Sequence, residues 1–575
     1  MEDYRNKITI IYMVFLFLII VFLIRVIALI LHKPDYFIKL ETTKKDLALR
    51  GEIFSKDGYQ ITKNEKIYNV AIYPEEINRD KKELFVNLLS IYTDKPKEIF
   101  EKALNSHKKR VVILKKIPYK IKKNLLYLSK LFIYHKVFLA NNSKIIHGFD
   151  IFAETARRVY NFNDRLQPIL GYLRYKIDGS LDGMGLEKYY NTILEPKQNG
   201  FIKGERDVNG RIIYDDNVIA VQRIDGKNLL LNINFILQGK IENLLDEYKK
   251  KLKAKEIISV VMESRSGKII AIASTNRYNF MKLQQKDIPN LKISHIQYTY
   301  EPGSVMKPII LALLLELKRV SIFDVVDAHN GVFYLDNQHP IYDDEKFKWL
   351  NIIQAVVHSS NIVFAQLGLK LTPVEFREGL LKFGFGKKSG IDLPYEHKGV
   401  LFSKKELLNK FHRASNSFGY AIQVNLIQLL KAYNVFNNNG IMVEPKIADK
   451  YGEVKIVGKK IRVIPPSIAE TILKILRKVV LQGTAKRAYV DGIWTAGKTG
   501  TAKININGIY VDGLYNSSFI GFANDKESKY TIAVVVIEPD KKIYFASKTA
   551  VVIFREIVKK MLELNLLERE VKNES

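Results

Sequence analysis

Cysteine is absent from all 575 residues, which excludes disulfide frameworks, thiol nucleophiles, Cys-ligated zinc and iron–sulfur clusters together. Such avoidance suits an oxidising compartment. Glycine and proline are sparse, at 32 and 16, so the chain is neither collagen-like nor low-complexity. With 47% hydrophobic and 26% charged residues, most of it should fold. None of the ten histidines is followed by glutamate, which removes a zinc-binding H-E-x-x-H helix. Acidic residues are the scarcer charge: 61 Asp plus Glu against 91 Lys plus Arg leaves a formal +30. The basic residues run along the whole chain, as in Lys115-Lys116, Lys249 to Lys251 and Lys459-Lys460, with no base-reading motif. The sequence therefore predicts a generally basic surface and no nucleic-acid partner.

Long uncharged apolar runs are also lacking, with one exception. Ile8 to Ile24 carries no charge, and the apolar stretch continues past Arg25 to Leu31. At 1.5 Å per residue, residues 8–31 would span about 36 Å, enough to cross a bilayer. The run ends at His32-Lys33-Pro34, without the small residues of a signal-peptide cleavage site, so an uncleaved anchor is expected. Arg5 and Lys7 give a weak positive-inside signal to a cytoplasmic tail of residues 1–7. The remainder would then lie outside the cytoplasm. Arg25, inside the apolar run, should either face a protein partner or reach to the interface.

The length exceeds what a single core supports, so several domains are expected. From Pro34 to about residue 250, short strands and turns such as Arg50-Gly51-Glu52-Ile53-Phe54 before Lys56-Asp57-Gly58 predict an irregular α+β region. A helix from about Ile233 to Leu252 leads into a second domain over 251–566, with a tail at 567–575. It opens with a hairpin, Ile257 to Met262 and Lys268 to Ala273, around the turn Arg265-Ser266-Gly267. Strands at Thr495 to Ala502, Ser518 to Ala523 and Thr531 to Ile537 and an amphipathic helix from about Lys548 to Leu566 close it. The fold class is α+β, an antiparallel sheet packed with helices.

Three short motifs carry chemistry. Ser304 opens the apolar helix that follows Tyr300-Glu301-Pro302-Gly303, with Lys307 one turn on, where partial burial would depress the amine pKa until it could act as a base. Ser106-His107-Lys108-Lys109 has the same spacing but no apolar helix after it. Ser359 and Asn361 supply a hydroxyl and a carboxamide two residues apart between helical stretches, suited to relaying a proton and holding an amide. Ser274-Thr275-Asn276 matches that pattern too. Lys498-Thr499-Gly500-Thr501 sits in an edge-strand context where Gly500 permits close backbone approach and Lys498 can meet a carboxylate. Lys-Thr-Gly occurs nowhere else in the chain.

In the order S-x-x-K, S-x-N, K-T-G, these motifs are the signature of the penicillin-recognising serine transferases and hydrolases. The chain resembles a class B penicillin-binding protein along nearly its whole length. Arg50-Gly51-x-Ile53, Gly183-Met184-Gly185-Leu186-Glu187, Ser389-Gly390-Ile391-Asp392-Leu393-Pro394, Ser417-Phe418-Gly419-Tyr420 and Gly483-Thr484-Ala485 carry that resemblance outside the three motifs. Ser-Ser-Asn and the Tyr-Glu-Pro-Gly-Ser lead-in look like the septal, FtsI-type subgroup, whereas elongation-type relatives more often have aspartate at the position of Asn361. Five positions depart from the family pattern: Ser55 and Asn234 stand for aspartates, Ala421 for a glycine, and Asn425-Leu426 for Thr-Pro.

The resemblance implies a membrane-anchored, extracytoplasmic D,D-transpeptidase with a non-catalytic pedestal over 34–250. Ser304 would attack the penultimate D-alanine of a stem peptide, and Lys307, assisted by Ser359, would move the proton. Asn361 would hold the donor amide. Lys498, Thr499, Gly500 and Thr501 would bind the terminal carboxylate of substrate or β-lactam, with the N–H groups of Ser304 and Thr501 as oxyanion donors. It further implies no metal or organic cofactor. Residues 34–250 lack the paired-acid motif of a glycosyltransferase, so the expected partners are a separate membrane-embedded glycan polymerase and other division proteins, at the cytoplasmic membrane of the septum. The alternatives are an elongation-type transpeptidase, or a non-catalytic β-lactam receptor or division scaffold.

Overall fold

The computed structural model describes residues 2–31, 41–140, 146–175, 181–206, 212–335 and 340–570. The chain forms two compact units woven from alternating segments. One takes Met1–Ala48, Lys66–Ala156 and Lys197–Ile224, the other Leu49–Glu65, Arg157–Pro196 and Asp225–Ser575. The sequence draws one boundary near residue 250, whereas compactness assigns Arg50-Gly51 and Gly183 to Glu187 to the unit that holds the three motifs.

In the first unit, α1 (Glu2–Leu31) is one helix of 30 residues, long and apolar enough to cross a membrane. His32 to Pro34, expected to end it, lie outside the described residues, as do the last five residues of the 567–575 tail. After β1 (Glu41–Asp46) come β2 (Thr62–Ile72), α2 (Lys82–Thr93), α3 (Lys97–Leu104), β3 (Val111–Ile117), α4 (Tyr119–Tyr134) and β4 (Asp150–Tyr160), of which β2 belongs to this unit from Lys66 and β4 up to Ala156. The strands form a sheet in the order β3-β2-β4, and the three helices cover it. Phe85, Phe100, Phe132, Phe138 and Phe149 fill the space between them; in α2 the buried Phe85, Val86 and Leu89 recur at helical spacing. β5 (Gly200–Glu205) pairs antiparallel with β1 on one side and with β6 (Ile219–Val221) on the other.

The second unit carries the three motifs. Its first long helix, α5 (Phe235–Leu252), starts where Asn234 accepts the Leu237 N–H at 2.9 Å, and the Asp57 carboxylate accepts the N–H groups of Phe235 and Ile236 at 3.0 and 3.2 Å. The Asp57-Gly58 turn thereby fixes the helix entry. β7 (Glu256–Glu263) and β8 (Ile269–Ser274) form the expected hairpin. Then follow α6 (Lys307–Glu316), α7 (Ile352–Val357), α8 (Asn361–Gly368), α9 (Leu426–Asn437) and α10 (Pro466–Leu481). β9 (Trp494–Ile506), β10 (Ile509–Asn524), β11 (Lys529–Ile537) and α11 (Ala550–Glu563) complete the unit.

The sheet order is β8-β7-β11-β10-β9, antiparallel throughout. β7 and β11 are central and buried on both faces, which is why they read as continuous apolar runs rather than alternating ones. β9 lies at the edge. Two expected strands prove much longer, because Asn507 and Gly508, with φ of 53° and 90°, close β9 and β10 into one hairpin. Every residue of α9, and of α6 from Lys307 to Leu314, is buried; beyond Lys307 that stretch of α6 is apolar on all sides, as a core helix should be, whereas α9 buries Gln428, Lys431, Asn434 and Asn437 against hydrogen-bond acceptors.

Candidate active site

Ser304 lies in a 3₁₀ turn, Gly303–Met306, that runs directly into α6 at Lys307. The sequence predicts that Ser304 starts the helix itself; the tighter turn has three residues per turn, so residues 304 and 307 eclipse on one side. Gly303 has φ +62°, and its N–H donates to the Gly419 carbonyl at 3.0 Å. A Cβ on Gly419 would meet the Gly303 oxygen at 2.0 Å, so Ser417-Phe418-Gly419-Tyr420 is pressed against the turn that holds Ser304. The buried Tyr433 hydroxyl, from α9, donates to the Val305 carbonyl at 2.5 Å and holds the turn from beneath.

Ser359 occupies the link between α7 and α8 with φ +62°, a strained conformation for a residue with a side chain. The neighbouring helix start enforces it. Ser360 caps α8 by accepting the Val363 N–H at 3.1 Å, and the Asp343 carboxylate accepts the N–H groups of Asn361 and Ile362 at 2.5 and 3.1 Å and the Ser360 hydroxyl. Asn361 Nδ2 donates to the Tyr342 carbonyl at 3.0 Å, which turns its Oδ1 towards Lys307.

The three motifs converge on one hydroxyl. Lys307 Nζ, at 0% exposure, donates to the Ser359 carbonyl at 2.5 Å, to Asn361 Oδ1 at 2.8 Å and to Ser359 Oγ at 3.2 Å. Lys498 Nζ, also at 0% exposure, donates to Ser359 Oγ at 2.8 Å. Its other acceptor is the Thr499 carbonyl at 3.4 Å. Burial pushes the Lys307 amine down to about 7, against the opposing pull of Asp343 and Asp344. Burial, together with the positive charge of Lys307, pushes Lys498 well below the usual lysine range.

The remaining predicted residues line β9. Thr499 exchanges a hydroxyl hydrogen bond with Thr484 at 2.9 Å, which gives Gly483-Thr484-Ala485 a role. Thr501 Oγ1 accepts the Ala546 N–H at 3.1 Å. Gly500 lies opposite Ser518 on β10, and a Cβ there would stand 2.6 Å from the Pro302 carbonyl and from Ser518 Oγ. The glycine thus lets the edge strand press onto the Ser304 turn. All eight predicted residues lie in the second unit; hydrogen bonds join Lys307, Ser359, Asn361 and Lys498, while Ser304 Oγ takes no part in that network. The look-alike motifs fall elsewhere: Ser106 precedes β3, and buried Ser274 donates to Glu256 at 2.7 Å.

Two carboxylates went unnoticed in the sequence. Asp343 lies in an acidic run that resembles any solvated loop. Glu301 is visible only as part of the lead-in, yet its Oε1 accepts the Ala421 N–H at 3.0 Å and the Tyr510 hydroxyl at 3.1 Å. Its Oε2 is buried without a partner, and burial raises its pKa. Ala421, which departs from the family's glycine, still adopts φ +57°. Asn425, which stands for threonine, caps α9 in a reciprocal box with Gln428.

A family model described as the penicillin binding protein transpeptidase domain matches residues 257–559, and one described as the penicillin-binding protein dimerisation domain matches residues 45–231. The chain is 27% identical to peptidoglycan D,D-transpeptidase FtsI of Buchnera aphidicola subsp. Baizongia pistaciae, covering 98% of this chain and 96% of that one. It is 27% identical to stage V sporulation protein D of Bacillus subtilis, covering 89% and 78%. The crystal structure of penicillin binding protein 2X from Streptococcus thermophilus shares the fold, with a TM-score of 0.74 at 20% identity over 91% of this chain and 81% of that one. With the S-x-x-K, S-x-N and K-T-G residues gathered at the edge of its five-stranded sheet, the chain belongs to the penicillin-binding protein transpeptidase family.

Proposed function

We propose that Ser304, Lys307, Ser359, Asn361 and Lys498 perform peptidoglycan D,D-transpeptidation in this chain through an acyl-enzyme. The observation that carries it is the meeting of two fully buried lysines on the Ser359 hydroxyl. Two ammonium ions sharing one oxygen repel, so their protons titrate as a coupled pair. Of the two, Lys307 has the better set of acceptors and is the more comfortable cation. A donor carboxylate arriving at Lys498 and Thr499 favours charge on Lys498 instead. Ser359, which can accept from one amine while donating to the other, provides the path by which Lys307 becomes the neutral base.

The neutral Lys307 takes the proton as Ser304 Oγ attacks the carbonyl carbon of the penultimate D-alanine. The peptide C–N bond breaks, and the terminal D-alanine leaves with that proton on its amine. An amine from a second stem then attacks the ester, restoring the Ser304 hydroxyl and leaving a crosslink. Asn361 holds the donor amide, Lys498, Thr499, Gly500 and Thr501 the carboxylate, and the N–H groups of Ser304 and Thr501 stabilise the oxyanion, worth about 10²-fold or more per donor. Similarity to FtsI proteins supports a septal role, α1 supports anchoring in the cytoplasmic membrane, and a glycan polymerase and division proteins are the partners such a role requires.

Labelled penicillin should attach covalently at Ser304, and Ser304→Ala should abolish the label while the protein stays folded. Label on Ser106, or label that survives the substitution, overturns the assignment. A fluorescent fusion should form a mid-cell band; a dispersed lateral pattern would mean the elongation role.

A further inference from the structure

The net charge of the chain is unevenly distributed. Between Glu101 and Asp150 no acidic residue occurs, and residues 102–140 hold eleven lysines and arginines, a net +11 of the chain's +30. At the centre of this stretch stands α4. One face of it, with Leu125, Leu128 and Phe132, is buried in the first unit's core. Its outer face carries Tyr119, Lys123, Tyr127, Lys130 and Tyr134, which recur every three or four residues and so form one stripe. The three tyrosines are 64%, 60% and 80% exposed, and Leu126 beside them is 45% exposed.

Lys120 and Lys122 occupy the first turn of α4 and Lys123 follows at once, at the positive end of the helix dipole, where acidic residues would be stabilising. Lys122 rests on the Tyr68 ring at 4.0 Å. Among the described residues no carboxylate pairs with Lys120, Lys123 or Lys130. Local stability therefore does not account for this composition. A surface that only needed solubility would mix the two charges and would not expose tyrosine and leucine among lysines. Aromatic and aliphatic side chains interleaved with cations, with no anion, are the make-up of helices that lie at a lipid–water boundary: the rings sit at headgroup depth while the lysine amines meet phosphates.

We propose that the outer face of α4 docks on a bilayer of anionic lipids. A helix presents a convex face, suited to a planar layer, and its charge is complementary to phosphatidylglycerol headgroups. Insertion of α1 would tether this surface to a bilayer, so that docking becomes an intramolecular event and a weak contact suffices. Each lysine at the surface contributes about fivefold in association.

The absence of cysteine supplies the test. Full-length Y127C, labelled at that one thiol with an environment-sensitive dye, is reconstituted through α1 into nanodiscs of phosphatidylcholine alone or enriched in phosphatidylglycerol. Both discs tether the chain equally, so a difference reports headgroup charge. The dye should shift to the blue and be quenched by doxyl-labelled lipid in anionic discs, and the effect should vanish in about 1 M salt, where the Debye length is about 3 Å. Joint K120E, K123E and K130E reversal should also remove it while penicillin labelling is unchanged. If the reversed protein fails to label, the salt series on Y127C alone decides. Equal quenching in both discs would mean proximity imposed by the tether alone and would overturn the proposal. So would no quenching in either, which would leave an acidic protein or an anionic glycan as the object of the stripe.

Discussion

Helix α4 holds three of its four lysines in solvent, and Glu76 is the one charged side chain buried in its unit among the described residues, paired with His147. Among its described residues the second unit buries eight: Glu187, Glu242, Glu256, Lys307, Asp392, Glu396, Lys431 and Lys498. Within that unit the buried charges divide again. Asp392 accepts the Ile447 and Ala448 N–H groups and the Tyr190 hydroxyl at 2.7, 2.8 and 2.8 Å, a complete shell that ties distant segments together. Lys498 has a single good acceptor, a hydroxyl it shares with a second lysine. A buried charge with all its partners is structural; one left short of partners is poised for a ligand or a proton.

Removing the proton-accepting amine beside that poised lysine should have the largest effect. Lys307→Ala should slow acylation by labelled penicillin by about 10³-fold or more with the fold intact, whereas loss of a shelled carboxylate at Asp392 should lower thermal stability first. In the unaltered protein the acylation rate should fall about tenfold per pH unit below pH 7. The Lys307 amine is depressed to about 7, so its neutral, proton-accepting form is present above that pH and lost as pH falls. A pH-independent rate between 5 and 7 would remove Lys307 as base.

Gly500→Ala tests whether the edge strand must touch the nucleophile turn. Its Cβ would stand 2.6 Å from the Pro302 carbonyl, a backbone atom that cannot yield without moving Ser304. Acylation should drop by about 10²-fold, since a displacement of about 1 Å at reacting groups costs that much. A near-normal rate would show that the strand can retreat without harm.

The smallest effect is expected at Glu301, between the two classes: one of its carboxylate oxygens is satisfied and the other is not. Glu301→Ala leaves the Ala421 N–H and Tyr510 hydroxyl without their acceptor, worth about 1 to 3 kcal/mol. If that loss loosens the nucleophile turn, acylation should slow by about tenfold, and Glu301→Gln, which keeps an acceptor oxygen, should recover most of it. Equal loss in both variants would point to the carboxylate charge instead.

Motif chemistry was legible in the sequence because it depends on residue type and spacing: a serine with a lysine three residues on, a lone Lys-Thr-Gly and an uncharged apolar run of bilayer length. The strands of the catalytic sheet were legible through continuous apolar runs, although the Asn507-Gly508 turn that joins two of them is a local signal that went unread. Asp343 and Glu301 stayed hidden, since a carboxylate in a loop looks the same whether it faces water or caps a helix at the heart of a site. The apolar helix after Ser304 already set the two S-x-x-K copies apart, whereas only the fold shows that Ser359 meets Lys307 while Ser274 donates to Glu256. The sequence by itself determined which groups could react; only the tertiary structure decided that Lys307 and Lys498 share the Ser359 hydroxyl, because segments 52 and 139 residues apart meet there through burial and sheet register that no local pattern encodes.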